Sequence, residues 1–174
     1  MPPDVVVHRL GPDDAGELLT LHRAAYVSEA RLHDDFELPP LVQTLEQLRA
    51  DLADPAVTTI GLRLGAAGSP PARLVASARL APAPGAADLG RLAVAPDLQG
   101  QGLGTRLLEL AEAALPPGVS RVQLFTGEHS VANLRLYRRA GYTETHRTPL
   151  GRYDLVHLAK DVGSSGSPAA TGRP

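Results

Sequence analysis

The segment that most constrains this chain is Leu92-Ala93-Val94-Ala95-Pro96-Asp97-Leu98-Gln99-Gly100-Gln101-Gly102-Leu103-Gly104-Thr105-Arg106-Leu107-Leu108. An apolar run enters glycines at alternate positions 100, 102 and 104. Leu103, Leu107, Leu110, Ala111 and Ala114 then recur at i, i+4, i+7, i+8 and i+11, one face of a helix. A strand must therefore pass through a tight glycine turn straight into an amphipathic helix, which Pro116-Pro117-Gly118 ends. At such a junction the first N–H groups of the helix lack intrahelical partners and the positive dipole end points outward, so the turn is built to meet an anion. Glycine lets the backbone approach a ligand with no Cβ in the way. A Walker loop is excluded because no Gly-Lys-Ser/Thr follows. The spacing is G-x-G-x-G, not the G-x-G-x-x-G of a dinucleotide fold, and no early βαβ unit precedes it. Taken alone, the segment also fits a turn that uses glycine for geometry only.

The rest of the chain supplies the elements around this turn. Three consecutive valines in Asp4–Leu10 mark a strand, and Gly11-Pro12-Asp13-Asp14 punctuates before a helix carrying Ala15, Leu18, Leu19, Ala25 and Tyr26 that frays near Arg31. His33–Pro40 reads as an irregular acidic loop, followed by a second helix through Leu41, Leu45, Leu48 and Leu52 that Asp54-Pro55 stops. Strands are expected at Val57–Leu64, Arg73–Leu80 and Asp88–Val94 as a meander, with loops at Gly65–Pro71 and Ala81–Ala87. Val119–Thr126 is a further strand, Ser130 N-caps a short helix to Ala140 with Gly141 at its C′ position, and Tyr142–Arg147 and Tyr153–Leu158 close the fold. The expected order is β-α-α-β-β-β-α-β-α-β-β in one domain over residues 1–162. The tail 163–174, made of small and polar residues, is expected to be disordered.

Composition removes several classes of function. Seventeen Lys plus Arg against nineteen Asp plus Glu give a net charge of −2, so no global basic field draws the chain to nucleic acid or anionic lipid. Aromatic residues are 3% and Trp is absent, which disfavours base-stacking platforms. With no cysteine there is no disulfide, thiolate zinc site or thiol nucleophile. The six histidines are scattered without metal-ligand spacing, so no metal is expected. Met1–Leu10 lacks the pattern of a signal peptide and no apolar run approaches a membrane span, so a soluble cytoplasmic protein is expected.

The run Gln99-x-x-Gly102-x-Gly104, between the Leu92-x-Val94 strand and an amphipathic helix, resembles the acyl-CoA-binding motif of the GNAT superfamily of N-acetyltransferases. Downstream, Ser130-Val-Ala-Asn133-Leu-Arg-Leu136-Tyr137-Arg-Arg-Ala-Gly141-Tyr142 resembles that family's second motif, and the element order matches the family fold over about Val5–Lys160. The resemblance implies an α/β (α+β) fold with a central mixed, mostly antiparallel sheet flanked by helices. It implies acetyl-CoA as co-substrate, with its pyrophosphate over Gln99, Gly100, Gln101, Gly102, Leu103, Gly104 and Thr105 and its pantetheine along Leu92, Ala93 and Val94. A strand N–H near Ala93 or Val94 would polarise the thioester carbonyl. Arg106, in the first helical turn, either reaches a phosphate or is an exposed helix residue.

Tyr137 matches the tyrosine that similar enzymes place near the thioester sulfur. Proton donation from an aqueous tyrosine to a thiolate is uphill by about 1.5 pKa units, roughly 2 kcal/mol, small beside a chemical barrier. Asp88 stands four residues before Leu92, where related enzymes often carry a glutamate that activates the acceptor amine, and Asp is one methylene shorter. Glu29, Glu128 and water are the other candidates for the base. The sequence departs from the family's pattern at Ser130, where Asn is frequent, while Asn133 stands where Ala is frequent and is assigned a pantetheine contact.

Glu29, His33, Asp34 and Asp35 are expected on the acceptor side, where carboxylates favour a cationic amine and the interrupting Arg31 and His33 equally allow a zwitterion. The function implied is transfer of acetyl from acetyl-CoA to a primary amine, on a small molecule or a peptide, by direct attack in a ternary complex. A non-catalytic acyl-CoA-binding or interaction module is the competing reading. A homodimer through an exposed edge at Tyr153–Leu158 is a further expectation.

Overall fold

The structure, a computed structural model, describes residues 3–65 and 72–163. The valine run forms β1 (Val5–Arg9), and a 3₁₀ turn at Pro12–Asp14 leads into α1 (Ala15–His33). Asp34 ends α1 with a positive φ of 49°. One helical turn, α2 (Pro39–Val42), precedes α3 (Leu45–Ala53). The expected second helix is thus divided, because Thr44 and Gln47 form a capping box. Thr44 Oγ1 accepts from Gln47 N–H at 3.2 Å, and Gln47 Oε1 accepts from Thr44 N–H at 2.9 Å.

β2 (Thr58–Leu64), β3 (Leu74–Ala83) and β4 (Ala86–Val94) form the expected antiparallel meander. The loop expected at Ala81–Ala87 is mostly strand: β3 and β4 pair as far as Ala83↔Ala86, and Gly85 turns with φ of 67°. The loop expected after Gly65 lies largely outside the described residues, as does the tail from residue 164. α4 (Leu103–Ala113) follows the glycine turn, and then β5 (Arg121–Gly127), α5 (Val131–Arg139), β6 (Thr143–Pro149) and β7 (Asp154–Asp161) complete the fold.

The seven strands form one sheet in the order β1-β2-β3-β4-β5-β7-β6, antiparallel except for the parallel pair β4 and β5. α1 packs over β3 and β4, and α4 over β2, β3 and β4. Leu74–Ala78 are five successive buried residues, so β3 is covered on both faces. Leu62, Leu107, Val75, Val122 and Val156 lie at the centre of the core. At the far end, Glu112 of α4 accepts from Tyr142 Oη at 3.0 Å and Lys160 Nζ at 2.8 Å, tying helix to sheet.

The edge expected at Tyr153–Leu158 is not an edge. β7 lies between β5 and β6, and β6 is the outer strand, with all seven residues exposed and with Glu144, Arg147 and Pro149 along it. Charges and proline on an outer strand oppose strand addition, so that route to a homodimer has no support.

β4 and β5 part almost at once. Their register comprises Ala87↔Val122 and Asp88↔Gln123 only. Beyond it β4 bulges: Ser77 faces Ala93 and Arg79 faces Gly90, so Arg91 and Leu92 together oppose Ala78, and Arg91 takes a φ of 53°.

Gly61 on β2 tests the packing beneath this arrangement, since a Cβ there would sit 2.7 Å from Leu10 Cδ2 and 2.8 Å from Leu74 Cδ1. Gly61→Ala is expected to lower stability by about 1–3 kcal/mol in urea unfolding. An unchanged midpoint would show that the two leucines yield freely.

Candidate active site

Where β4 leaves β5, a cavity of about 780 Å³ opens, lined among others by Tyr26 and Glu29 from α1, Asp88 and Leu92 from β4, and Asn133 and Tyr137 from α5. Beyond Asp88, β4 has no strand partner on its β5 side. The Leu92 carbonyl there accepts Tyr26 Oη at 3.2 Å. Ala93 and Val94 are in register with Ser77 and Ala76 of β3, and the Val94 carbonyl also accepts Gln99 Nε2 at 3.2 Å.

The glycine turn lies beyond the cavity at the N-terminus of α4. Gly100 and Gly102 take φ of 75° and 84°, with open space where a Cβ would stand. Gly102 is the N-cap, so the N–H groups of Leu103, Gly104 and Thr105 begin the helix without partners in it. Gly104 has a different cause: its Cβ would lie 3.1 Å from Leu136 Cδ2, so the third glycine allows α4 to pack against α5. Gln101 Nε2 donates to the Asp97 carbonyl at 3.4 Å, and the Leu103 side chain is buried. Arg106 extends to the Val5 carbonyl of β1 at 3.5 Å.

α1 and α5 meet through polar groups. Glu29 accepts from Ser130 Oγ and, at 3.2 Å, from Asn133 Nδ2. Ser130 is the N-cap residue of α5 as expected, but its hydroxyl goes to Glu29 and not to the N–H groups of the helix. His33 Nε2 accepts the His129 N–H at 3.2 Å, which leaves Nδ1 to donate to the Glu29 carbonyl at 3.0 Å. A Cβ at Gly127 would overlap this ring. Tyr137 is buried but borders the cavity, and among the described residues no group hydrogen-bonds its hydroxyl. Burial, then the neighbouring Tyr26 and Glu29, push its pKa up, so the hydroxyl stays protonated throughout the neutral range.

The carboxylates separate into two groups. Asp88 is exposed at the cavity and accepts Gln123 Nε2 at 2.6 Å. Glu128 is occupied by the Asp154 N–H at 2.8 Å and by Arg147 at 3.5 Å, away from the cavity lining. Asp34 pairs with Arg152 at 2.5 Å and Asp35 accepts Tyr153 Oη at 2.7 Å, fastening the end of α1 to the β6–β7 turn. Neither lines the cavity, whereas Glu29 and His33 do.

Four polar residues at the site escape the sequence reading. His22 and Tyr26 precede Glu29 and His33 on α1 at i, i+4, i+7 and i+11, one helix face, and that spacing was the available signal. Arg79 and Arg91 line the cavity from β3 and β4, and nothing local announces Arg91 because its direction depends on the bulge. Desolvation pushes Tyr26 up to about 12, while Arg91 and Arg79 oppose that shift. His22 is 2% exposed, and burial followed by repulsion from Arg91 and Arg79 lowers its pKa to about 4.

The sign of the His22 effect is fixed by linkage. The unfolded chain takes up its proton near pH 6.5 and the folded protein only near 4, so this stability is present above 6.5 and is lost as pH falls toward 4. On the order of 2–3 kcal/mol should disappear between pH 7 and about 4.5 in urea unfolding. His22→Gln should remove that part of the slope. An unchanged slope would mean that His22 is not buried neutral.

A family model, that of the Acetyltransferase (GNAT) family, matches residues 22–142. Among solved structures the chain is similar to the ribosomal-protein-S18-alanine N-acetyltransferase from Escherichia coli, at 21% identity over 95% of this chain and 98% of that one, with a TM-score of 0.72. It is similar to the PaiA N-acetyltransferase from Thermoplasma acidophilum in complex with coenzyme A, at 16% identity over 88% and 98% of the two chains, TM-score 0.72. An acetyltransferase from Thermus thermophilus is 25% identical over 93% of this chain and 100% of that one, TM-score 0.68.

Proposed function

The chain belongs to the GNAT acetyltransferase family, and we propose that it moves an acetyl group from acetyl-CoA to a primary amine, on a small molecule or peptide, within a ternary complex. The observation that carries this reading is the parting of β4 from β5 beside a buried, protonated Tyr137. The residues present fit coenzyme A. Open space faces Gly100 and Gly102, N–H groups at the start of α4 have no helical partner, and one side of Leu92–Val94 has no strand.

Acetyl-CoA would supply an activated acyl thioester, whose acyl carbon passes from sulfur to nitrogen. The backbone from Gln99 to Thr105 would hold the pyrophosphate, and Leu92, Ala93 and Val94 would orient the pantetheine and carbonyl. Arg106 is assigned no phosphate, since it is turned toward β1. Asn133 borders the cavity beside Glu29 and would meet the pantetheine only by leaving that carboxylate.

Tyr137 donates a hydrogen bond to the leaving sulfur. Its raised pKa widens the gap to a thiol, so its part is to hold a hydrogen bond to developing negative charge in a site that also desolvates a thiolate. Asp88 receives the acceptor's proton, directly or through water: it is exposed at the cavity, and its partner Gln123 is neutral. Glu29, held by Ser130 and Asn133, is assigned a positioning role between α1 and α5.

The absence of cysteine makes the test clean, because release of the coenzyme A thiol can be followed with no thiol background from the protein. With a panel of primary amines, one class should be turned over. Tyr137→Phe should lower kcat about 100-fold while acetyl-CoA binding is kept; a full rate would remove Tyr137 from the reaction. Asp88→Asn should lower kcat/KM about 100-fold at neutral pH while acetyl-CoA binding is kept, and an unchanged rate would pass the proton to solvent.

A further inference from the structure

The wall that β3 and β4 give to the cavity carries two guanidinium groups, Arg79 and Arg91. Their charges are poorly matched by the protein. Arg79 has Asp51 Oδ2 at 3.5 Å, an oxygen that already accepts Gln43 Nε2 at 2.7 Å. Among the described residues, Arg91 has neither an ion pair nor a hydrogen bond. Behind the wall, Arg79 Nε, Arg91 Nη1, His22 Nδ1 and Gln43 Oε1 are all buried without partners. The void there, about 10 Å³, has room for one water at most. Arg79 and Arg91 are only partly buried and border the cavity as well, so an anion bound there would give Arg91 the partner it lacks.

The two carboxylates at the cavity have neutral partners and keep their negative charges. Glu29 is held by Ser130 and Asn133, and Asp88 by Gln123. Arg121 pairs with Asp161 at 2.8 Å. The acidic residues that would draw a polyamine, Asp34 and Asp35, are tied to Arg152 and Tyr153 outside the lining. Arg91 is thus a positive charge without an anionic partner among the described residues, bordering the same cavity as two carboxylates, and it complements the single negative charge of a zwitterion rather than a dianionic phosphate. Guanidinium forks suit the planar pair of oxygens of a carboxylate.

We infer that the acceptor is an amine that also bears a carboxylate, such as an α-amino acid, and that Arg79 and Arg91 bind the carboxylate while the amine lies toward Asp88. This rests on the acetyl-transfer reading for the meaning of the word acceptor, but the binding itself does not require turnover. The same guanidinium charges repel a second cationic centre where the carboxylate would lie, so they discriminate against polyamines.

Calorimetry with coenzyme A present tests the site directly, using L-amino acids, their α-carboxamides, the matching decarboxylated amines and aminoalkyl phosphates. At least one amino acid should bind ten-fold or more tighter than its carboxamide and its decarboxylated amine. That ratio should collapse toward one in Arg91→Gln and be only partly restored in Arg91→Lys, with each variant's thermal unfolding checked. Equal binding of acids and carboxamides, no binding of any acid, or an unchanged ratio in Arg91→Gln would overturn the inference. Tighter binding of an aminoalkyl phosphate would overturn the assignment to carboxylate. Thiol release on the same samples reports separately on acetyl transfer: acids that bind but are not acetylated would refute the transfer reading and leave the anion site standing.

Discussion

The structure depends on a parallel strand pair that stops pairing early. β4 and β5 are in register only at Ala87–Asp88, after which β4 bulges at Arg91 and leaves one row of its backbone groups without a neighbouring strand. Unpaired backbone inside a sheet is costly, so the chain must provide other partners or a ligand must. Here Tyr26 takes the Leu92 carbonyl and Gln99 takes that of Val94, while Asp88 to Leu92 border a cavity. The same strand runs on into the glycine turn, so the turn and the cavity are set along one strand.

α1 is the second organising element, and it works through polar contacts on an otherwise buried face. His22, Tyr26, Glu29 and His33 lie on one side of the helix and reach, respectively, Ser77 of β3, the Leu92 carbonyl of β4, the start of α5 and the loop before it. Polar groups held at several points fix a helix more specifically than apolar packing, which allows neighbouring registers. Tyr137 stays buried and protonated against this frame. Arg79 and Arg91 line the same cavity as Glu29 and Asp88, so both signs of charge border one pocket.

Much of the fold was legible because its elements are encoded locally. The valine run, the i, i+4, i+7 stripe after Gly102 and the Pro-Gly punctuation each act over a few residues, and each element was expected close to where it stands. The errors share a cause. Ser130 stands at the N-cap as expected, but Glu29, 101 residues away, takes its hydroxyl. Asp34 and Asp35 look like an acceptor-side field until Arg152 and Tyr153, each 118 residues from its partner, remove them from the cavity. Tyr153–Leu158 looks like an edge because it comes last among the expected strands, yet β7 inserts between β5 and β6.

The sequence by itself determined the order of elements, the glycine turn at the start of a helix, the absence of thiol chemistry and the resemblance that the family match bears out. These are properties of single residues or of spacings within one or two turns, where backbone sterics and periodicity decide. Only the tertiary structure decided which carboxylates face the cavity, that His22 is buried against Ser77, and that two arginines stand together in the wall. A charge takes its role from its partners and its exposure, and both are set by strands and helices brought together from distant parts of the chain.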